Sequence, residues 1–397
     1  MQEIKHLLQR HYGAALSILM ARIGDISLAE DAMQEAAIKA LELWQETVPD
    51  KPRAWLITVA YRYSVDQFRR HNKLHQIIAA EAHTIDLLAN TEGPELEDHL
   101  LQLIFICCHP SIQVENQIAL TLKLVMGFHV LDIARALVVP ESTVEQRITR
   151  AKRKIQKAGI EFELPNQHQL KQRLPSVLKT LYLIFNEGHH RTRGDRLYCE
   201  LRCQQAIRLM RSLCRLFRGN SEALALLALM LFTDARLPGR GQSQFIPLED
   251  QDRSLWRHAQ IAQADIILQK SLAMKVLSPY HIEAAISGLH SQAKTFSATD
   301  WLQIKGLYQK LYQYKPTPIV QLNLASAHLM DGDIDAAHSL LARLEPELSQ
   351  YAGFHAAFAK LLEQQQDPEG AKRHFLKAAR LSKNEQDIAY FLKLAEC

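Results

Sequence analysis

Apolar residues recur at three- and four-residue intervals along nearly the whole chain, and little interrupts them. Leu16, Leu19, Met20 and Ile23 stand at i, i+3, i+4 and i+7, and Ala32, Ala36, Ala37, Leu41 and Trp44 continue the stripe. Only 15 glycines and 14 prolines occur in 397 residues, about 7% against roughly 12% in an average protein. With 47% apolar and 7% aromatic residues, a sandwich, a barrel or a long disordered tail is excluded. The expected class is all-α, and at roughly 100–200 residues per domain the length allows two to four domains.

Charge is nearly balanced, 47 basic against 43 acidic residues for a formal +4. The balance conceals a pattern. Residues 1–72 carry nine charges of each sign, residues 74–100 carry six carboxylates and no Lys or Arg, and residues 135–157 carry seven basic residues against two acidic ones. Nucleic-acid contact, if present, is therefore confined to patches rather than spread over a basic coat. Lys5 and Arg10 precede only a short apolar stretch that Arg22 ends, so no secretory signal is expected. The longest apolar run, Ala223 to Phe232, is half a membrane span. Six cysteines are too sparse for a disulfide scaffold. A cytoplasmic protein that spans no membrane is the expectation.

The periodicity divides the chain. Residues 4–46 read as helix broken at Gly24-Asp25, with Ser27 and Glu30 in capping-box spacing. Pro49 and Pro52 mark a loop, and Ala54 to His71 form a further amphipathic helix. A first unit over 1–72 is thus followed by an acidic linker, 73–95, with a Gly93-Pro94 break. A second unit covers 96–160, and Pro165 opens a boundary before a long helical extension, 166–397. Near 316–394 the extension echoes itself every 34 residues: Ala325 matches Ala359, Ala337 matches Ala371, and Leu341 matches Phe375. That period suits paired helices of the tetratricopeptide kind.

The densest functional signal lies at 128–155. A short helix carries Ile133, Ala134 and Leu137 on one face. Four residues later Glu141 and Ser142 open a second helix, with Ser142 and Glu145 again in capping-box spacing. Ala134 and Val144 stand ten apart, as small and β-branched residues do where the helices of a helix-turn-helix meet. Thr143, Gln146, Arg147 and Arg150 fall on the outward side, with Lys152, Arg153, Lys154 and Lys157 beyond. Early polar side chains suit base edges and later cations suit phosphates. Val138 occupies the turn position often held by glycine.

Two further segments complete a pattern. Leu28-Ala29-Glu30-Asp31-Ala32-Met33-Gln34-Glu35-Ala36 resembles the polymerase-binding helix of bacterial extracytoplasmic-function sigma factors. Arg53-Ala54-Trp55-Leu56-Ile57-Thr58-Val59-Ala60 and Asp66-Gln67-Phe68-Arg69-Arg70 are similar to their −10 region helix, and the 128–155 unit resembles their fourth conserved region. Tyr182-Leu183-Ile184-Phe185-Asn186-Glu187-Gly188, Asp234-Ala235-Arg236 and Asp250-Gln251-Asp252-Arg253 are similar to the members with a long tetratricopeptide-like extension. So is Phe105-Ile106-Cys107-Cys108-His109-Pro110. His189-His190-Arg191 and Tyr63 depart from the family pattern.

The resemblance implies two small sigma domains, region 2 and a region 4 helix-turn-helix, plus a large helical regulatory extension that contacts them. Core RNA polymerase is the implied partner of Asp31, Gln34 and Glu35. Promoter −10 DNA is implied for Trp55, Arg62, Arg69 and Arg70, and for the loop 45–52. The −35 element is implied for Ser142, Thr143, Gln146, Arg147, Arg150, Arg153 and Lys154. Such an aromatic is more often core than platform, so Trp55 is read first as a packing residue.

Other clusters invite different readings. Cys107-Cys108-His109 and Cys199-x-x-x-Cys203 lack the second ligand pair of a zinc site and read as buried thiols. His189-His190 reads as part of a solvent-facing loop. No phosphate-binding glycine loop, nucleophile elbow or HExxH stands in the chain. Glu187, Asp234, Glu249, Asp250 and Asp252 read as fold-organising ion pairs beside Arg236, Arg253 and Trp256. No enzyme activity, cofactor or metal is expected. Two alternatives stay open, a helix-turn-helix regulator that acts without polymerase and a tetratricopeptide-type scaffold.

Overall fold

The computed structural model describes residues 2–70, 94–137, 139–160, 165–191, 197–241 and 244–396. The acidic linker, all but its last residues, and the turn residue Val138 lie outside the described residues. Among those described, the chain is all-α with no β-strand, and it divides into two compact units, Met1–Leu181 and Tyr182–Cys397.

The first unit opens with α1 (Gln2–Ile23), α2 (Ile26–Leu43) and α3 (Pro52–Arg70), each packed on the other two. Their shared face is the expected stripe: Leu16, Leu19, Met20, Ala32, Met33, Ala36, Leu56 and Ala60 are buried. Small residues along α2 let the helices approach closely, so the core is built from alanine as much as from larger side chains. Gly24 takes φ +70 between α1 and α2, a left-handed conformation that glycine adopts without strain. The expected Ser27–Glu30 capping box does not form. Asp25 caps α2 instead, accepting hydrogen bonds from the amides of Ser27 and Leu28.

Four more helices follow: α4 (Pro94–Cys107), α5 (Val114–Leu124), α6 (Val130–Leu137) and α7 (Glu141–Lys157). The sequence reads them as a unit apart from 1–72, but α1 packs against both α4 and α5. The contact is close. A Cβ on Gly13 would lie 1.8 Å from the Val125 carbonyl oxygen, and Gly127, at φ +64, lies under the ring of Tyr12.

The helix α8 (Gln167–His189) crosses the division between the units. Its early part belongs to the first unit, past the boundary expected at Pro165, because Leu170, Leu174, Val177 and Leu178 are buried there. Arg173, buried, donates from Nη1 to the Phe105 carbonyl at 3.0 Å, and Cys108 Sγ lies 3.7 Å from Thr180 Oγ1. Burial pushes the Cys108 thiol up to about 12, the behaviour of a packing residue rather than a reactive one.

The second unit contains α9 (Glu200–Leu216), α10 (Ser221–Ala235), α11 (His258–Leu272) and α12 (Pro279–Gln292). The uniformly apolar α10 lies at its centre, packed by α9, α11 and α12. Six helices complete it: α13 (Trp301–Tyr314), α14 (Pro318–Met330), α15 (Ile334–Leu348), α16 (Ala352–Gln364), α17 (Pro368–Leu381) and α18 (Glu385–Glu396). The 34-residue echo is visible in the helix starts, 318 with 352 and 334 with 368. Ala325, Ala359, Ala337, Ala371, Leu341 and Phe375 are all buried. Asp333 and Asp367 cap the corresponding helices through the amides of Ala336 and Gly370.

The solvent-loop reading of His189-His190 holds for His190, which is exposed beyond the helix end, and fails for His189. His189 is the last residue of α8. The Arg240 guanidinium donates to the His189 carbonyl at 2.9 Å and also meets the rings of His189 and His190. Burial and Arg240 hold the His189 imidazole well below its ordinary value. Asp234, fully buried, does take the expected structural role. Its Oδ2 accepts from Arg257 Nη1 and Gln260 Nε2 at 2.8 Å each and from Gln204 Nε2 at 3.1 Å.

Candidate functional site

The outward face of α2 collects the residues expected to meet polymerase. Asp31 and Gln34 are exposed and Glu35 is half-buried, all within about one turn of helix. Ile38 continues that exposed side, at 52% of full exposure. The face thus mixes carboxylates, an amide and uncovered aliphatic surface, the composition of a protein-docking surface rather than a purely solvated one.

On α3 the expected −10 residues separate. Trp55 is half-buried and stands edge-on to the buried Trp44, with centroids 5.4 Å apart, so part of its ring is occupied by packing. Arg62 is exposed about two turns further on, and Tyr61 and Tyr63 are half-buried. The side chains of Arg69 and Arg70 lie outside the described residues.

The helix α7 is built by the sequence for two tasks. Val144, Ile148, Ala151 and Ile155 are buried and hold it against α5 and α6, with Ile133 and Ala134 of α6 buried opposite. At roughly 100° per residue, Ser142, Gln146, Arg150, Arg153 and Lys157 fall within about 80° of one another on the far side. All five are exposed, as is Lys154, whereas Thr143 and Arg147 flank the stripe half-buried. The helix begins one residue before Ser142, with Pro140 at the N-cap and no capping side chain. Ser142 is therefore free of the capping role its spacing with Glu145 suggests and presents its hydroxyl outward.

The residue pair that the sequence reading missed is Glu30 with Lys152. Glu30 is 3% exposed on the inner edge of α2, and the Lys152 ammonium of α7 meets its carboxylate as an ion pair, although out of line for a hydrogen bond. Burial, then Glu30 and Asp31, push the phenol of Tyr12 upward from its ordinary value. Lys152 thus leaves the outward cationic stripe and ties α7 to α2. The signal was present in the spacing: Ile26, Glu30, Met33 and Ala37 run at i, i+4, i+7 and i+11, along the apolar stripe rather than beside it.

No group of three or more metal-ligating side chains occurs among the described residues. Cys107, Cys108 and Cys203 are buried free thiols. No described helix is long and apolar enough to cross a membrane.

Comparison with known proteins adds three findings. Residues 7–74 match sigma-70 region 2. Residues 173–272 match a family of unknown function (DUF6596). Over 388 residues, 95% of this chain and 91% of the other, the sequence is 37% identical to the uncharacterised protein R00370 of Rhizobium meliloti (strain 1021). The matched region 2 segment coincides with α1, α2 and α3 and so contains both the outward face of α2 and the Trp55–Arg62 surface. The chain therefore belongs to one family with the Rhizobium meliloti protein and carries a sigma-70 region 2 domain at its amino terminus.

Proposed function

We propose that this chain is a sigma factor of the extracytoplasmic-function type, acting in the cytoplasm. It would recruit core RNA polymerase through Asp31, Gln34 and Glu35 and engage −10 DNA through Arg62 and the exposed part of Trp55. The −35 element would be read through α7, and the helical second unit, of tetratricopeptide-like construction, would modulate activity. One observation carries the reading: a sigma-70 region 2 domain is followed in the same chain by a pair of helices whose second member turns a polar-to-cationic stripe outward. In that stripe Ser142 and Gln146 come first, where base edges are reached in major-groove docking. Arg150, Arg153 and Lys157 come later, where phosphates lie. The chemistry of initiation belongs to the polymerase, and the chain itself performs no reaction.

The deciding experiment is transcription in vitro by purified core polymerase on a randomised promoter library. Programmed initiation by the full chain, or by residues 1–181 if the second unit silences it, is expected. Replacing Asp31, Gln34 and Glu35 together by Ala should abolish core binding and leave binding to naked DNA unchanged. If both forms bind DNA but neither binds core polymerase, the chain is a regulator that acts alone. If neither binds DNA or polymerase, it is a scaffold.

A further inference from the structure

The second unit holds a cavity of about 540 Å3 where α10, α12, α13 and α14 converge, within the range of small-molecule sites. At its floor is Arg236, the residue that ends α10. Its Nη2 donates to Ser287 Oγ at 3.2 Å, and Ser287 Oγ lies 3.3 Å from Thr233 Oγ1. No carboxylate pairs with Arg236 among the described residues, so most of its five donors are uncommitted. Burial, with Arg240 and Arg253 nearby, lowers it to about 10, so it remains charged at neutral pH. Its surroundings supply donors rather than acceptors. His290 Nδ1 and Arg253 Nη2 are buried without hydrogen-bond partners, and Tyr308 lines the wall.

Such an arrangement is incomplete as a fold element. Arg236 is half-buried, and a charge partly withdrawn from water is disfavoured unless it is met by a partner; this protein meets Asp234, two residues earlier, with three side chains. The other lining is apolar: Leu229, Ile286, Leu311 and Val320. The carboxylate in the lining, Glu283, is already engaged, accepting from Tyr182 Oη at 2.8 Å and pairing with Lys315 Nζ at 3.4 Å. With Lys315 so occupied, the cavity offers one free cation among the described residues, a match for a monoanion and a poor one for a phosphate dianion.

We propose that this cavity binds a small organic carboxylate, its head on Arg236 with the Ser287 and Thr233 hydroxyls beside it and its hydrocarbon body against Leu229, Ile286, Leu311 and Val320. The site would give the second unit a metabolite input, and it stands whether or not the chain acts as a sigma factor. The test titrates the full chain with hexanoate and benzoate, following the fluorescence of Trp301, which stands edge-on to His290 at 5.3 Å between centroids. Inorganic phosphate at matched ionic strength is the control.

A saturable response to a carboxylate, absent with phosphate, is expected. Arg236→Gln should raise the half-saturation concentration by about ten- to a hundredfold, the effect of losing a charged hydrogen bond. If that variant does not fold, Ser287→Ala carries the test, with an expected three- to tenfold rise of about the size of one neutral hydrogen bond. No saturable response to either carboxylate, a titration unchanged by whichever of the two variants is folded, or saturation by phosphate alone would each overturn the proposal.

Discussion

The Glu30–Lys152 pair predicts an asymmetry that no surface ion pair would show. The Glu30 side chain is 3% exposed and that of Lys152 25%, so the two partners stand to lose different amounts. Lys152→Met strands the buried carboxylate of Glu30. Breaking a buried pair in this way costs about 3–5 kcal/mol, and the partial exposure of the lysine places the loss near the lower bound, about 3 kcal/mol. Glu30→Gln strands nothing comparable. The amide keeps the shape of the carboxylate, and the lysine can turn to water, so about 1 kcal/mol is lost. The double variant should resemble Glu30→Gln alone, a coupling of about 3 kcal/mol in favour of the pair.

Native-state hydrogen exchange measures this without assuming that a two-unit chain unfolds in one step. Peptides from 26–43 and 141–157 should exchange roughly 150-fold faster in Lys152→Met and about fivefold faster in Glu30→Gln, at 1.4 kcal/mol per tenfold change. Equal effects of the two single variants, or simple additivity in the double variant, would refute the argument. The pair would then be a surface contact of little weight.

Three further outcomes follow from the packing and the charges. Gly13→Ala drives a methyl into the Val125 carbonyl and should destabilise the first unit by about 3 kcal/mol. Gly24→Ala, in open space at φ +70, should cost only about 1 kcal/mol; thermal melting compares them. The His290 imidazole is lowered from 6.5 to about 3 by burial, Arg236 and Arg253. The folded state therefore refuses a proton that the unfolded chain accepts, and stability falls as pH drops below 6.5. His290→Gln should remove up to about 2 kcal/mol of the loss between pH 6.5 and 5, read from hydrogen exchange of the 279–292 helix. In selections from randomised DNA, Arg150→Ala should relax preference at one base pair by about 1–3 kcal/mol. Lys154→Ala should weaken all sequences alike and flatten the salt dependence.

Helix content, the buried stripe of α2, the apolar α10 and the 34-residue spacing were legible in the sequence because each follows from local periodicity. The outward stripe of α7 was legible for the same reason: once Val144, Ile148, Ala151 and Ile155 define the inside, Gln146 and Arg150 must face out. What escaped was tertiary. The spacing of Ser27 and Glu30 matches a capping box, and only the position of α7 shows that Glu30 is turned to Lys152 while Asp25 serves as the cap. In the same way, His189 looks solvent-facing until Arg240, about fifty residues on, is seen to hold it. Gly13 carries no sequence signal at all, since its value lies in how near Val125 comes.

Asp234 and Arg236 show how far charge alone can separate a structural group from a ligand-seeking one. The two lie two residues apart at the end of the same helix, a spacing that turns side chains to opposite sides. Asp234 turns to Arg257, Gln260 and Gln204, which together satisfy its Oδ2, while Arg236 turns the opposite way into an open cavity with one hydroxyl for company. Helix geometry alone sends the two side chains apart; what distinguishes them is that Asp234 finds its partners within the unit, whereas among the described residues no carboxylate meets the half-buried Arg236, whose remaining donors are open to a ligand.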